Sequence, residues 1–100
     1  MLELVKSATF DAWLRGLRDS RARARIAARL DRMADGNFGD VKPVGHGISE
    51  LRIDHGPGYR VYFMQRGSVI VVVLAGGDKR AQPADIKLAR RIASDWERES

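Results

Sequence analysis

Cysteine is absent from this chain of 100 residues, so a disulfide framework, a thiol nucleophile and a cysteine-ligated zinc site are all excluded. Long hydrophobic runs are also missing: the longest strongly apolar stretch, Val69 to Ala75, is far too short to cross a bilayer. Residues 1–6 lack the basic region and apolar core of a signal peptide. We therefore expect a cytoplasmic protein with no membrane partner, and one domain over residues 1–100.

Histidine is scarce as well, since His46 and His55 are the only two, and no organised carboxylate cluster accompanies them. Such a set is not a recognisable ligand group for a metal ion, so we predict neither a metal nor another cofactor. Gly76-Gly77 lacks the GxxxxGK pattern of a phosphate loop, and the end of a strand would explain it.

Positive charge is what the chain has in excess: 18 Lys and Arg against 13 Asp and Glu, a formal net charge of +5. This excess favours a polyanionic partner such as nucleic acid, or an acidic protein. Within the second predicted helix, Arg25, Arg29 and Arg32 share one face. That face could bind ribosomal RNA through its phosphates, or it could be a solvated surface that an acidic partner covers.

Hydrophobic periodicity predicts the order β-α-α-β-β-β-α, an α+β fold with a mostly antiparallel sheet and helices packed on it. Residues 38–47, which contain three of the glycines, are predicted to form a loop. The predicted elements are a strand over 2–6, helices over 10–17 and 20–35, strands over 50–54, 59–64 and 69–75, and a helix from Pro83.

The short turns between the last three predicted strands indicate antiparallel hairpins. One buried face requires Leu51 to lie opposite Val61, and this register places Arg52 opposite Arg60 on the other face. Like charges in that arrangement destabilise a sheet by up to about 1 kcal/mol, which a bound anion would offset.

In the second hairpin, a turn at Arg66-Gly67 would pair Gln65 with Ser68 and bring Arg60 near Val73. The segment that leaves the last strand, with Lys79 and Arg80, would then emerge beside Arg60.

A cluster of Arg52, Arg60 and Lys79 suits the binding of an RNA backbone and the stabilisation of a pentacovalent phosphoryl transition state. The alternative is a set of ordinary surface ion pairs, Arg52 with Glu50 or Asp54 and Arg60 with Asp78, each of little energetic value.

Three further residues are candidates for the chemistry. His55, in a Gly/Pro turn, could be a general base or acid, although a loop histidine is more often merely exposed, and His46 is a weaker candidate. Tyr62 lies on the face of Arg52 and Arg60, where its ring could stack on a base or its hydroxyl could join proton transfer.

The chain resembles the HigB-like, phage Gp49-like branch of the RelE/ParE toxin superfamily. The resemblance covers nearly the whole chain, including an Arg-rich second helix. Its motifs, in chain order, are Phe10-Asp11-Ala12-Trp13-Leu14, Phe38-Gly39-Asp40-Val41-Lys42-Pro43-Val44, Glu50-Leu51-Arg52-Ile53-Asp54, Gly56-Pro57-Gly58-Tyr59-Arg60-Val61-Tyr62-Phe63 and Gly76-Gly77-Asp78-Lys79.

This resemblance implies a compact RelE-like fold and a bacterial toxin, neutralised by an antitoxin that is usually a small helix-turn-helix DNA-binding protein. It also implies ribosome-dependent cleavage of mRNA, in which a 2′-hydroxyl attacks the adjacent phosphate. By motif, Arg60 matches a catalytic arginine, Arg52 a basic position on the preceding strand, and Lys79 or Arg80 the basic residue after the last strand.

The chain departs from the RelE pattern at the start of the last helix, where RelE has a tyrosine. Gln82 and Asp85 stand there instead, and we assign Gln82 to RNA contact and Asp85 to proton transfer. The competing functions are a ParE-type inhibitor that binds DNA gyrase without catalysis, and a toxin-like module that only binds a partner. The cluster of cations favours the nuclease.

Overall fold

The computed structural model describes residues 1–99 as one five-stranded sheet with helices on both faces. The elements are β1 (Glu3–Lys6), α1 (Ala8–Gly16), α2 (Ser20–Ala34), β2 (Val41–Gly45), β3 (Ile48–Ile53), β4 (Tyr59–Arg66), β5 (Ile70–Asp78), a 3-10 turn (Lys79–Ala81) and α3 (Gln82–Glu99). The strand order is β1-β5-β4-β3-β2, with β1 parallel to β5 and the other neighbours antiparallel. This confirms the predicted α+β, RelE-like class.

Helices α1 and α2 form a hairpin on one face of the sheet. Ser7 caps α1 by accepting a hydrogen bond from the backbone N–H of Phe10, and Asp19 caps α2 in the same way. The apolar stripe of α2 is buried on the sheet together with Phe10 of α1; its members are Ala22, Ile26, Leu30 and Met33. Within residues 1–99, no helix is long and apolar enough to span a membrane.

Helix α3 packs on the opposite face, over β4 and β5. Ala89 and Ala93 are its buried residues, and they lie in a second core with Tyr62 and Leu74. Small side chains at these two positions let the helix approach the sheet closely. On this face of β3, the start of α3 covers Glu50 and leaves Arg52 partly exposed.

The predicted loop over residues 38–47 is wrong in part, because Val41–Gly45 forms the edge strand β2, paired with β3. Four of its five residues are exposed, so no alternation of apolar residues marked it. Pro43 is tolerated at an edge. His46 and Gly47, with φ of 58° and 76°, make the tight turn into β3.

The register of the β3–β4 hairpin is confirmed: Leu51 faces Val61 and Arg52 faces Arg60. The predicted β4–β5 register is wrong, because Gln65 pairs with Val71 and Arg60 with Gly77. The turn is longer than expected, with Val69 in it rather than in the strand, and an irregularity after Tyr62 shifts the pairing.

Gly76 and Gly77 do not end the sheet, since β5 continues to Asp78. Both glycines are needed because side chains pack directly on them. A Cβ at Gly76 would overlap the Trp13 ring, and one at Gly77 would overlap the Asp85 carboxylate. Bare backbone here therefore lets α1 and α3 approach β5 from its two faces.

Candidate active site

An open cleft of about 420 Å³ lies at the β3–β4 turn. Gly58 has φ of +82°, and the position of its absent Cβ is 3.6 Å from Arg60 Nη1 and 3.7 Å from Lys79 Cβ. Arg60 and Lys79 thus meet across this glycine. The cleft is lined by Asp40, Arg52, Ile53, Asp54, Gly56, Pro57, Gly58, Arg60 and Lys79.

The three predicted cations share this cleft, in the company of two carboxylates. Arg52 Nη1 lies 3.8 Å from Asp40 Oδ1, with both side chains well exposed, so this ion pair is weak. Neither of the expected partners of Arg52, Glu50 or Asp54, pairs with it within residues 1–99. Lys79 makes no ion pair with any described residue.

Arg60 pairs with Glu50 rather than Asp78. Its Nε lies 3.2 Å from Glu50 Oε2, and the two side chains are 12% and 3% exposed. The Nε–H group of Arg60 makes no hydrogen bond, so its contact with Glu50 is an ion pair only. Burying two charges is costly unless further polar contacts satisfy them.

Gln82, the first residue of α3, supplies such contacts. Its Nε2 donates to both oxygens of Glu50, at 3.1 Å and 2.8 Å. This nitrogen is used inside the protein, and the RNA contact predicted for Gln82 stays a prediction. Gln82 instead joins α3 to β3 beneath the cleft, and Glu50 in turn holds Arg60.

Tyr62 is fully buried, so the prediction that its ring stacks on a base is wrong. Its hydroxyl makes no hydrogen bond within residues 1–99. Burial raises the pKa of this phenol far above its ordinary value, and the charges of Glu50 and Asp85 raise it further, against an opposing effect of Arg60. The hydroxyl therefore stays protonated.

Asp85 Oδ2 lies against Gly77 and is also buried without a hydrogen bond from the described residues. Burial raises the pKa of the carboxyl, and the neighbouring charge of Asp78 adds to the effect. Raised pKa values of this kind occur in carboxyls that take part in proton transfer.

The two histidines differ in their distance from the cleft. His55 stands between Asp54 and Gly56, which line the cleft, and its Nε2 is 3.1 Å from Oδ2 of Asp19, the capping residue of α2. His46 is farther away, because the β2–β3 turn that carries it is at the far end of β3. A part in proton exchange stays a prediction for His55.

The three arginines predicted to share an RNA-binding face differ in environment. Arg29 is partly buried and donates to the carbonyls of Arg52 at 2.6 Å, Phe38 at 3.3 Å and Asp40 at 3.4 Å. It fastens residues 38–40 to β3, and the RNA contact predicted for Arg29 stays a prediction. Arg25 and Arg32 are exposed.

Arg80 also points away from the cleft. Its side chain is 89% exposed, and its guanidinium lies 3.7 Å from Asp78. Asp78 accepts hydrogen bonds from the backbone N–H groups of Arg80 and Ala81, which fixes the turn after β5. Of the two basic residues in this turn, Lys79 is therefore the one in the cleft.

Glu50 is the site residue that sequence reasoning missed. The predicted register already placed it beside Arg60 on the polar face of the hairpin. Its burial by α3 could not be seen in the sequence, because Gln82 is far along the chain.

A compact α+β domain with one five-stranded sheet and three helices is the architecture of a RelE-like protein. The family described as Phage derived protein Gp49-like (DUF891) matches residues 12–94, so the chain belongs to this family.

A protein of Haemophilus influenzae described as uncharacterized is similar: it is 49% identical over 94 residues, which cover 94% of this chain and 95% of that protein. The Gp49-like family is a RelE-like toxin family, and membership implies an antitoxin partner.

Proposed function

We propose that this chain is a HigB-like toxin of a type II toxin–antitoxin module and cleaves mRNA on the ribosome. Family membership supports a toxin, and the cleft supports the chemistry. The observation that carries the proposal is the placement of Arg52 opposite Arg60, with Lys79 against the same glycine turn. A protein that only bound gyrase would not need cations converging on one cleft.

In the proposed reaction, the 2′-oxygen of one ribose attacks the adjacent phosphorus and the bond to the 5′-oxygen breaks. The products are a 2′,3′-cyclic phosphate and a free 5′-hydroxyl. Arg52 and Lys79 hold the phosphate oxygens, and Arg60 stabilises the charge that develops on them. Asp85 is the candidate for donating a proton to the leaving 5′-oxygen, because its carboxyl lies against Gly77, the strand partner of Arg60, and its pKa is raised.

The antitoxin that family membership implies would be a small helix-turn-helix DNA-binding protein. The net charge of +5 favours an acidic toxin-binding segment in that partner. Exposed Arg25 and Arg32 on α2 are available to such a segment or to ribosomal RNA.

The test is expression of the chain without its antitoxin, followed by mapping of transcript ends. We expect growth arrest and cuts within translated codons, and the same cuts when purified toxin, ribosomes and mRNA are combined. The Lys79→Ala variant should lose most of this cleavage, whereas the matched Arg15→Ala variant, with a cation removed from exposed α1 surface, should retain it. Intact transcripts with DNA damage would instead support the gyrase inhibitor and overturn the proposal.

A further inference from the structure

A second and larger groove, of about 690 Å³, lies between α3 and the β2–β3 turn. Its floor is formed by Ile48 and Ala93, which are 1% and 5% exposed, and His46 stands at its rim. The groove is at the opposite end of β3 from the cleft, about 17 Å away at 3.3 Å per residue. Both open on the face of the sheet that α3 covers.

The walls of the groove carry four cations, Lys87, Arg90, Arg91 and Arg98, against the single carboxylate of Glu97. Two of these five charges have partners: Arg98 pairs with Asp95, and Glu97 lies 2.5 Å from Arg66. The other three cations are exposed and make no ion pair within residues 1–99. The groove therefore has uncompensated positive charge.

The cations are arranged along the helix rather than gathered at a point. Lys87, Arg91 and Arg98 follow one another at i, i+4 and i+11, which is one face of α3 and about 16 Å long at 1.5 Å per residue. A row of this length can contact several anionic groups in succession. Arginine in particular binds phosphate oxygens in pairs.

The groove is chemically unlike a protein-binding surface. The cores of protein interfaces are rich in aromatic and large apolar residues. Among the described residues, the exposed large hydrophobic ones are Met1, Val41 and Val69, and none of them lines the groove. Nucleic-acid interfaces, in contrast, are polar and strongly positive.

We propose that this groove binds the sugar–phosphate backbone of RNA, independently of base sequence, as a second contact separate from the cleft. The identification of the polyanion as RNA rests on the proposed function; the binding of a phosphodiester backbone rests on the groove. An RNA held at both places is bound more tightly than at either one, because the second contact forms within the same complex.

The test is the affinity of the full chain for a short single-stranded RNA with 2′-O-methyl riboses, which cannot be cleaved through its 2′-oxygen. The variant is Lys87→Ala with Arg91→Ala, and the matched control is Lys6→Ala with Arg15→Ala, which removes two exposed cations elsewhere. The loss of two phosphate contacts should reduce the slope of log affinity against log salt concentration by about 1.4. It should also lower the affinity about 25-fold at about 0.1 M salt. The control should bind almost as the original chain does.

Each possible outcome either supports or overturns the proposal that the groove binds an RNA backbone. An equal loss in variant and control would show a nonspecific charge effect and overturn the proposal. Unchanged RNA affinity together with lost antitoxin binding would make the groove a protein-binding site and would also overturn the proposal. Tighter binding to duplex DNA of the same length than to the RNA would overturn it as well. If the groove variant loses RNA affinity while the original chain cuts no mRNA, the groove proposal holds and the proposed nuclease function fails.

Discussion

Glu50 Oε2 lies 3.2 Å from Arg60 Nε beneath the candidate active site, and both side chains are almost fully buried. Removing one partner of such a pair leaves an uncompensated charge in the interior, at a cost of about 3–5 kcal/mol. Arg60 is therefore both a site residue and part of the folded core. Loss of toxicity in an Arg60→Ala variant would not by itself reveal a role in chemistry.

A paired substitution separates these effects. We expect Arg60→Met alone to lower the free energy of unfolding by about 3–5 kcal/mol. Adding Glu50→Gln should restore much of that loss, because a neutral amide can still bond to Gln82 and leaves no buried charge. The double variant should be folded and inactive. Urea unfolding and RNA cleavage measure the two effects, and a double variant no more stable than Arg60→Met would contradict the pairing.

The glycine at position 77 should tolerate no side chain. A Cβ there would overlap the Asp85 carboxylate, so Gly77→Ala should destabilise the protein by about 1–3 kcal/mol. Gly16→Ala is the matched control, because nothing lies within 4 Å of a Cβ at that helical position. The control should gain about 0.4–1 kcal/mol from reduced chain entropy. Thermal unfolding compares the two, and similar melting temperatures would show that α3 adjusts freely.

Asp85 should make stability depend on pH in a defined direction. Its pKa in the folded chain is raised above the ordinary value of 3.8, so the folded state binds the proton more tightly than the unfolded state does. The contribution of the protonated Asp85 carboxyl to the stability of the folded chain is then fully present below pH 3.8 and is lost as the pH rises through the raised pKa. As the pH increases through this range, we expect the free energy of unfolding of the Asp85→Asn variant to exceed that of the original chain by a growing amount. A stability difference that is constant with pH would refute the assignment.

The hydroxyl of Tyr62 is expected to cost stability. It is buried and makes no hydrogen bond within residues 1–99, so Tyr62→Phe should raise the free energy of unfolding by about 1 kcal/mol. RNA affinity should not change, because the ring is not accessible. Tyr62→Leu should be destabilised, because it leaves a cavity where the ring packs against α3. A less stable Tyr62→Phe variant would show that the hydroxyl has a partner.

The β3–β4 register could be predicted because both strands alternate around a short turn, and a shift by one residue would have buried Arg52. The β4–β5 register could not be predicted in this way, because β5 is apolar on both faces and shows no alternation of polar and apolar residues. The convergence of Arg60 and Lys79 survived this error, because β5 still ends beside the start of β4.

The deeper part of the site depends on contacts between distant residues. Gln82 and Glu50 are 32 positions apart, and no local pattern links them. The turn that holds His55 predicts exposure more often than catalysis, and it gives no sign of the contact with Asp19, which caps α2. Local periodicity therefore predicts which residues share a face, but not which side chains α2 and α3 remove from solvent.

The position of β5 between β1 and β4 has a consequence for the order of assembly. The first strand pairs with it through Glu3 and Ile70, and β4 pairs with its other edge. During synthesis, β1, α1 and α2 therefore emerge well before the strand that completes their sheet. Contacts at such separation form late because the intervening chain must first be closed into a loop. A chain interrupted before residue 70 would lack both β5 and Lys79, so an unfinished copy could complete neither the sheet nor the cleft.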